Sequence, residues 1–581
     1  MEVEYKEEPP NESEVSDETN ALPKLNVDRL LRKSVYACGL WQFMVTFLAI
    51  IGTPSTPTYP VFANSIPLKR CYMGEEIEQV LAAQKLNFDQ AAAIVGPWND
   101  DLVGHAQTMK GCTRYKVNWT DQSLFEWIRL MKLSNYTLTY TDVLQPCPNG
   151  YVYQLNELQY PSSVVVDFNT VCESNWLVPM GTSVYMFGMM IGFIFGGWAG
   201  DYFGRKRSSI AMSVIEILGA IGTSLAPNYY VYILSRAVIG AANSGKITVL
   251  NVLMIELTLA EYRAYFSSLM SLGYNFILRA LISLFAYYIP NWRWLNVAVM
   301  APSLFFVLHI FLLPESPRWL LSKNRDIHAL KSLQNGCYIN SVCCQSKTNP
   351  TLINQLLQTF SKATPNPNRK IIQLERKPIC KRIFGGITQC FSTKKLAIIT
   401  TLGIMIFICQ TMTFFGILLY ARLIRANIYI VSCLNAATTV PALAISALLY
   451  CTIRQRKRPL IGCYIAALIS LIIGGSYALS GKVHGDIVLS ITSNLALMCC
   501  IATALMLFIY IPELYPSSMR SLGLGMVAGL GRIGAMLCTF INELDYQFGH
   551  GLPLIIYAAA LFLTVILLFL LPDTRGVNLE D

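Results

Sequence analysis

Three basic side chains stand where charge is expensive. In the run MVAGLGRIGAMLCTFI, residues 526–541, Arg532 is the one charge among apolar residues and glycines. Lys246 in ANSGKITVL and Arg279 in NFILRALISL have similar surroundings. A cation at the centre of a membrane helix costs roughly 2.5 to 3.5 kcal/mol on insertion scales, so something must offset it, and an anionic ligand is one candidate. The chemistry implied is binding and passage rather than bond-making. No nucleophile-and-base set, phosphate-binding glycine loop or metal-ligand spacing accompanies these cations, so neither an enzyme, an ATP-driven pump, a resident metal nor another cofactor is expected.

A membrane is implied by the composition. Of 581 residues, 54% are hydrophobic and only 14% charged, with mean hydropathy +0.44, more apolar than a chain that buries one face of each element. Runs of about 20 residues suited to crossing hydrocarbon lie near 35–53, 178–200, 209–227, 229–255, 264–289 and 294–313. A second set lies near 395–418, 428–452, 459–480, 485–511, 518–541 and 550–571. The expectation is an all-α membrane protein with twelve spans in two six-helix halves, 35–313 and 395–572. Lys246 then falls in span four, Arg279 in span five and Arg532 in span eleven, all at mid-depth. Glu216 of span three offers a partner for one of the cations, and both that pairing and a substrate role stay open for Lys246 and Arg279. His309 of span six reads as a satisfied core histidine.

Charge in the loops gives the orientation. Residues 1–34 begin with MEVEYKEEPPNESEVSDETN, which is acidic and poor in bulky apolar residues, and are expected to be disordered. The segment 314–394 carries Arg318, Lys323, Arg325, Lys331 and eight further basic residues before Lys394 against Glu315, Asp326 and Glu375. Together with DYFGRKR at 201–207 and RQRKR at 454–458, this bias places the segment and both termini, including the tail 573–581, in the cytoplasm. The net charge of +10 is then a record of topology and calls for no nucleic-acid partner.

The long stretch 64–176 falls on the opposite side. It holds Cys71, Cys112, Cys147 and Cys172, an even number where an oxidising compartment would pair them, and the sequons at Asn118 and Asn135. Two disulfides and two glycans are expected on a plasma-membrane glycoprotein. The halves also repeat one feature: Glu256 stands seven residues before Arg263 at the end of span four, and Glu513 seven before Arg520 at the end of span ten. Such a pair, made in one conformation and released in another, suits a gate between rocking halves.

The motifs carry a resemblance. GGWAGDYFGRKR at 196–207 resembles the signature of the major facilitator superfamily, in which Asp201 and Arg205 would form a charge latch. CTRYKVNW at 112–119, QPCPNGYVY at 145–153, SSVVVDFNTVCESNW at 162–176, PNWRW at 290–294, PESPRWLL at 314–321, ELYPSSMRSLG at 513–523 and LPDTRG at 571–576 are similar to the organic ion transporters of solute carrier family 22. That resemblance implies the pairs Cys71–Cys147 and Cys112–Cys172, a twelve-helix carrier of small organic ions, and a structural role for Arg236. It also implies that the position of Arg532 is typically Asp in cation carriers and Arg in anion carriers. Span eight departs from the anion pattern, since Ala442 and Leu443 follow Pro441 where a lysine is often found, which puts high affinity for small dicarboxylates in doubt.

The expected function is therefore polyspecific transport of amphipathic organic anions by alternating access, through exchange or facilitated diffusion. The expected binding residues are Arg532, Lys246, Arg279, Phe414, Phe415 and Tyr274, the aromatics stacking on flat substrates. Two alternatives remain open: a carrier of organic cations or zwitterions with the same fold, and a surface receptor that has lost transport.

Overall fold

The computed structural model describes residues 25–36, 38–98, 110–116, 144–154, 159–344, 348–363, 390–453, 455–480, 487–516 and 520–572. A helix occupies each of the twelve expected runs. Ten of them are long and apolar enough to cross a membrane: Cys172–Phe203, Tyr229–Leu257, Glu261–Tyr288, Trp292–Leu312, Lys394–Tyr420, Ile428–Tyr450, Lys457–Leu479, Ile487–Glu513, Gly523–Phe548 and Leu552–Leu570. These are spans two, four, five, six and seven to twelve. Span one, Leu40–Ala63, follows Val27–Val35 at a bend of 113° and makes an eleventh when the bent pair is taken as one. Span three, Arg205–Ser224, is a 20-residue helix whose RKR start, serines and buried Glu216 lower its hydropathy. Ser208, Ser209, Ser213 and Glu216 are buried against neighbouring helices, while Val214, Ile215, Leu218 and Ile221 form an exposed apolar face.

The chain divides into two compact units that differ from the expected halves. The larger contains residues 45–254, 264–313 and 376–581, and so holds nearly all of both six-helix halves. Its helices meet closely where glycine permits it. A Cβ on Gly192 of span two would stand 2.1 Å from the Ala241 carbonyl oxygen of span four, and one on Gly534 of span eleven 1.9 Å from the Ile408 carbonyl oxygen of span seven. Gly534, two residues after Arg532, thus serves a backbone-to-backbone approach that a side chain would block.

Two polar nodes tie the halves internally. In the first, Glu216 of span three accepts from Lys246 of span four, from Asn243 at 2.7 Å and from Ser303 of span six at 2.5 Å, while Asn243 also donates to the Pro54 carbonyl at 2.9 Å. In the second, Gln410 of span seven donates to the Cys500 carbonyl of span ten at 2.7 Å and accepts from Tyr464 of span nine at 2.7 Å. Buried networks of this kind favour one packing, because a slipped helix would strand a polar group in an apolar surround.

The loop between spans one and two is a small module of the same unit. Strand β1, Leu68–Cys71, pairs antiparallel with β4, Tyr151–Gln154, and β2, Thr113–Tyr115, pairs antiparallel with β3, Leu144–Pro146. The disulfides join Cys71 to Cys147 and Cys112 to Cys172. Arg70 makes a two-pronged contact with Glu78 at 2.7 and 2.6 Å. Both expected glycosylation sites, Asn118 and Asn135, lie outside the described residues.

The smaller unit collects residues 1–44, 255–263 and 314–375. Here the expectation of disorder through residue 34 needs correction. Val27–Leu30 is α-helical, with the Asn26 side chain accepting from the Arg29 amide at 3.2 Å, and Leu31–Val35 continues it as a π-turn. The segment is held because it has partners: Asp28 pairs with Arg318 at 2.7 Å, and Arg32 with Glu261 at 2.6 Å. Buried Asn340 donates to the carbonyls of Val35 at 2.7 Å and Tyr36 at 3.0 Å and accepts from the Trp41 amide at 2.7 Å. Nor is the stretch after span six a simple linker. It forms helices Pro317–Ser322, Asp326–Cys344 and Pro350–Ala363, the first capped by Ser316 through the Trp319 amide at 3.2 Å.

Candidate functional site

Arg532 lies where the two six-helix halves meet. Its guanidinium carbon stands 4.5 Å from the ring centre of Phe193 on span two and 5.2 Å from that of Phe415 on span seven. Phe414 sets its ring edge-on to Phe415 at 4.9 Å. The side chain is half-buried, its Nε has no hydrogen-bond partner, and no carboxylate forms an ion pair with it among the described residues. A cation over two aromatic faces is partly compensated by their quadrupoles, yet its hydrogen-bonding donors remain available. Such a group can take a carboxylate or sulfonate while the rings cover a flat apolar body. Phe193 was missed by the sequence, where it reads as one more apolar residue of GFIFGG; its depth in span two, opposite Arg532, was the available signal.

Lys246 is placed differently. Its side chain and that of Glu216 are fully buried and bound to each other, and Ser303 lies 3.3 Å from the ammonium. Of the two readings left open for Lys246, the pairing with Glu216 is present, and it matches the charge inside the first half. Arg279 of span five is 3% exposed, and none of its guanidinium nitrogens has a hydrogen-bond partner. Tyr274 sits in the π-turn Gly273–Ile277, beside Ile50 of span one, which a Cβ on Gly273 would strike at 2.6 Å. The structure therefore brings Arg532 onto Phe415, with Phe414 against the same ring, while the contacts described for Lys246 are with Glu216 and Ser303. His309 is satisfied as expected, its ring nitrogens lying 3.0 Å from the Leu48 carbonyl and 3.4 Å from Ser209. Arg236 is stacked by Tyr59 at 4.9 Å and Tyr185 at 4.4 Å, a bracing role.

The end of the bundle that carries the disulfide-bonded loop is fastened across the halves. Arg422, just beyond span seven, pairs with Glu543 of span eleven and donates to the Asn64 carbonyl of the first half at 3.2 Å. Ser183 of span two donates to the Met536 carbonyl of span eleven at 3.3 Å, and Ser283 of span five to Ser432 of span eight at 2.9 Å. Phe62 stacks on Tyr429 with ring centres 6.1 Å apart. A further cross-half hydrogen bond, from Thr439 to the Asn275 carbonyl at 3.2 Å, lies at mid-depth. The Arg422–Glu543 pair was not legible beforehand, since its members are 121 positions apart and each looks like an ordinary boundary charge.

At the other end the expected latch forms. Arg205 meets Asp201 at 2.8 Å and the Gly200 carbonyl at 2.8 Å, with Gly204 at φ +100° turning the chain between spans two and three. At the two repeated positions the described contacts differ from the expected pairs. Glu513 pairs with Arg456 at 3.4 Å, and the side chain of its expected partner Arg520 lies outside the described residues. The Glu256 carbonyl accepts from Arg318 Nε at 3.1 Å, whereas Arg263 keeps its Nε buried without an acceptor.

Comparison with known proteins agrees with this architecture. The sequence model of the family described as "Sugar (and other) transporter" matches residues 134–581. The chain is 27% identical over 80% of its length to an organic cation transporter-like protein of Drosophila melanogaster, covering 77% of that protein. It is 26% identical over 94% of its length to solute carrier family 22 member 6-B of Xenopus laevis, covering 92% of it, and 26% identical over 81% to member 1 of Bos taurus, covering 77%. Among solved structures, the partially occluded inward-open form of the xylose transporter XylE from E. coli superposes with a TM-score of 0.53 at 18% identity, over 70% of this chain and 90% of that one. That likeness shows the fold alone.

Proposed function

Because the chain belongs to the sugar (and other) transporter family, and is thus a multi-pass membrane transporter rather than an enzyme, we propose that it carries small organic ions, amphipathic organic anions foremost, by alternating access. The relatives named as solute carrier family 22 members support organic ions over sugars as the substrate class. The observation that carries the anion reading is Arg532, a half-buried cation between Phe193 and Phe415 at the meeting of the halves, with no carboxylate paired to it among the described residues.

The mechanism follows from what each group can do. An organic anion sets its charged end on the Arg532 guanidinium and its apolar body against Phe415 and Phe414. The Arg422–Glu543 pair with Asn64, and the Ser283–Ser432 contact, close the loop end while the substrate is reached from the other. Transport requires these to part as the Asp201–Arg205 and Glu513–Arg456 ends close. We assign the loop end to the cell exterior and the termini to the cytoplasm of a plasma-membrane protein, on the charge bias of the loops.

A cation carrier is the second reading, favoured by the names of two Drosophila melanogaster relatives, the organic cation transporter-like protein and the organic cation transporter protein. An uptake panel of labelled organic anions and cations in expressing cells separates the two. Saturable uptake of anions, with cations excluded, is the expected result; saturable uptake of cations alone overturns the anion assignment.

A further inference from the structure

The carrier reading assigns a task to Arg532 but leaves Arg279 unexplained. Arg279 is 3% exposed, and Nε, Nη1 and Nη2 are all buried without a hydrogen-bond partner. No carboxylate pairs with it, and no aromatic ring stacks on it, among the described residues. Arg236 marks the contrast, since it too has buried nitrogens without acceptors but is held between the rings of Tyr59 and Tyr185. A guanidinium with five donors and nothing to receive them is the arrangement that buried charge in a membrane helix least tolerates.

Its position is specific. Four residues on, Ser283 donates to Ser432 of span eight at 2.9 Å; four residues back, the Asn275 carbonyl accepts from Thr439 of span eight at 3.2 Å. Arg279 therefore lies on the stripe that span five turns toward span eight, between two contacts that cross from one half to the other. The π-turn Gly273–Ile277 immediately before it is a local break in helical regularity of the kind that collects at functional positions. Buried Asn435 of span eight falls between Ser432 and Thr439 in sequence, so amide and hydroxyl groups line this contact. Arg532 lies by contrast among spans two, seven and eleven, against Phe193 and Phe415.

We propose that Arg279 is a second anion-binding group, separate from Arg532, on the face where span five meets span eight. It holds either the second anionic group of a dianionic substrate or a free inorganic anion such as chloride, and in either case the seam closes with its cation neutralised. This inference rests on the carrier reading, though its chloride arm can be run with whatever ion the protein transports.

The test compares wild type, Arg279→Gln and Arg279→Lys at measured surface density. Initial uptake is recorded for an aromatic diacid and its monoester, each in chloride and in gluconate buffer. If the substrate supplies the anion, wild type prefers the diacid, Arg279→Gln lowers that preference at least tenfold, and Arg279→Lys restores part of it. If the free ion supplies it, gluconate slows wild-type uptake at least threefold and Arg279→Gln abolishes the sensitivity. A surface-expressed Arg279→Gln with the wild-type preference and the wild-type chloride response overturns the proposal. Should neither variant reach the surface, wild type still tests it, since no chloride response together with equal competition by diacid and monoester overturns it, and a response that persists in Arg532→Gln upholds it. Uptake of cations only would remove the anion-carrier reading, while the chloride comparison on that cation would still judge Arg279.

Discussion

Replacing Lys246 with methionine should unfold the first half far more than a lost surface charge would. Glu216 has both carboxylate oxygens engaged, one by Asn243 and the other by Lys246 and Ser303, with its side chain and that of Lys246 at 0% exposure. Removing the ammonium leaves a carboxylate sealed among spans three, four and six with only neutral donors. Breaking a buried pair in this way costs about 3 to 5 kcal/mol, on the order of 10 °C in melting temperature for a body of this size. Replacing both members by uncharged residues of similar volume, Glu216→Gln with Lys246→Met, removes the stranded charge and should recover most of that loss. The assay is thermal unfolding of detergent-purified protein alongside surface density in cells. Lys246→Met is expected to melt well below wild type, and the double variant within about 4 °C of it while still transporting. A double variant as unstable as the single refutes the pairing argument. A double variant that is stable at the surface but dead in uptake of every substrate refutes the reassignment of Lys246 as a brace.

Other expectations follow from the same contacts. With Cys71–Cys147 and Cys112–Cys172 joined on the exterior side, a membrane-impermeant thiol reagent should label no cysteine of 64–176 on intact cells, and glycosidase should raise gel mobility through Asn118 and Asn135; four reactive thiols there would reverse the assigned orientation. Glu543→Gln deprives Arg422 of its charge partner only in the loop-end-closed state, so at least a threefold tighter apparent affinity for substrate offered from outside is expected, with slower turnover; unchanged values for both would make the pair a passive brace. Glu513→Ala and Arg456→Ala should each slow transport, and the double variant should be no slower than either; losses that simply add would show that the two do not act together.

Much of this architecture was legible because membrane spans announce themselves. Twelve apolar runs of the right length became helices, and the Asp201–Arg205 turn formed where the motif lay. What the sequence hid was partnership. Lys246 and Glu216 looked like separate anomalies until spans three and four placed them at one depth. Glu513 is paired with Arg456, and no spacing rule reports a contact between residues 57 positions apart. The helix Val27–Val35 was invisible because its stability comes from Arg318, Glu261 and Asn340, all far along the chain. Arg532 stood out in advance as a charge that needs accounting for, being a lone guanidinium in a glycine-rich run, but its neighbour Phe193 did not stand out.

That residue carries the central claim, and inverting its charge tests it most directly. At ~4 Å and an effective dielectric of about 20, an anion gains about 4 kcal/mol from the guanidinium before its own desolvation is deducted. A net contribution of about 1.5 to 3 kcal/mol corresponds to roughly ten- to hundredfold in affinity. Initial uptake by Arg532→Asp at matched surface density should show organic anions lost by at least tenfold at a subsaturating concentration, with organic cations admitted for the first time. Anion uptake by a surface-expressed Arg532→Asp equal to that of wild type would contradict the account.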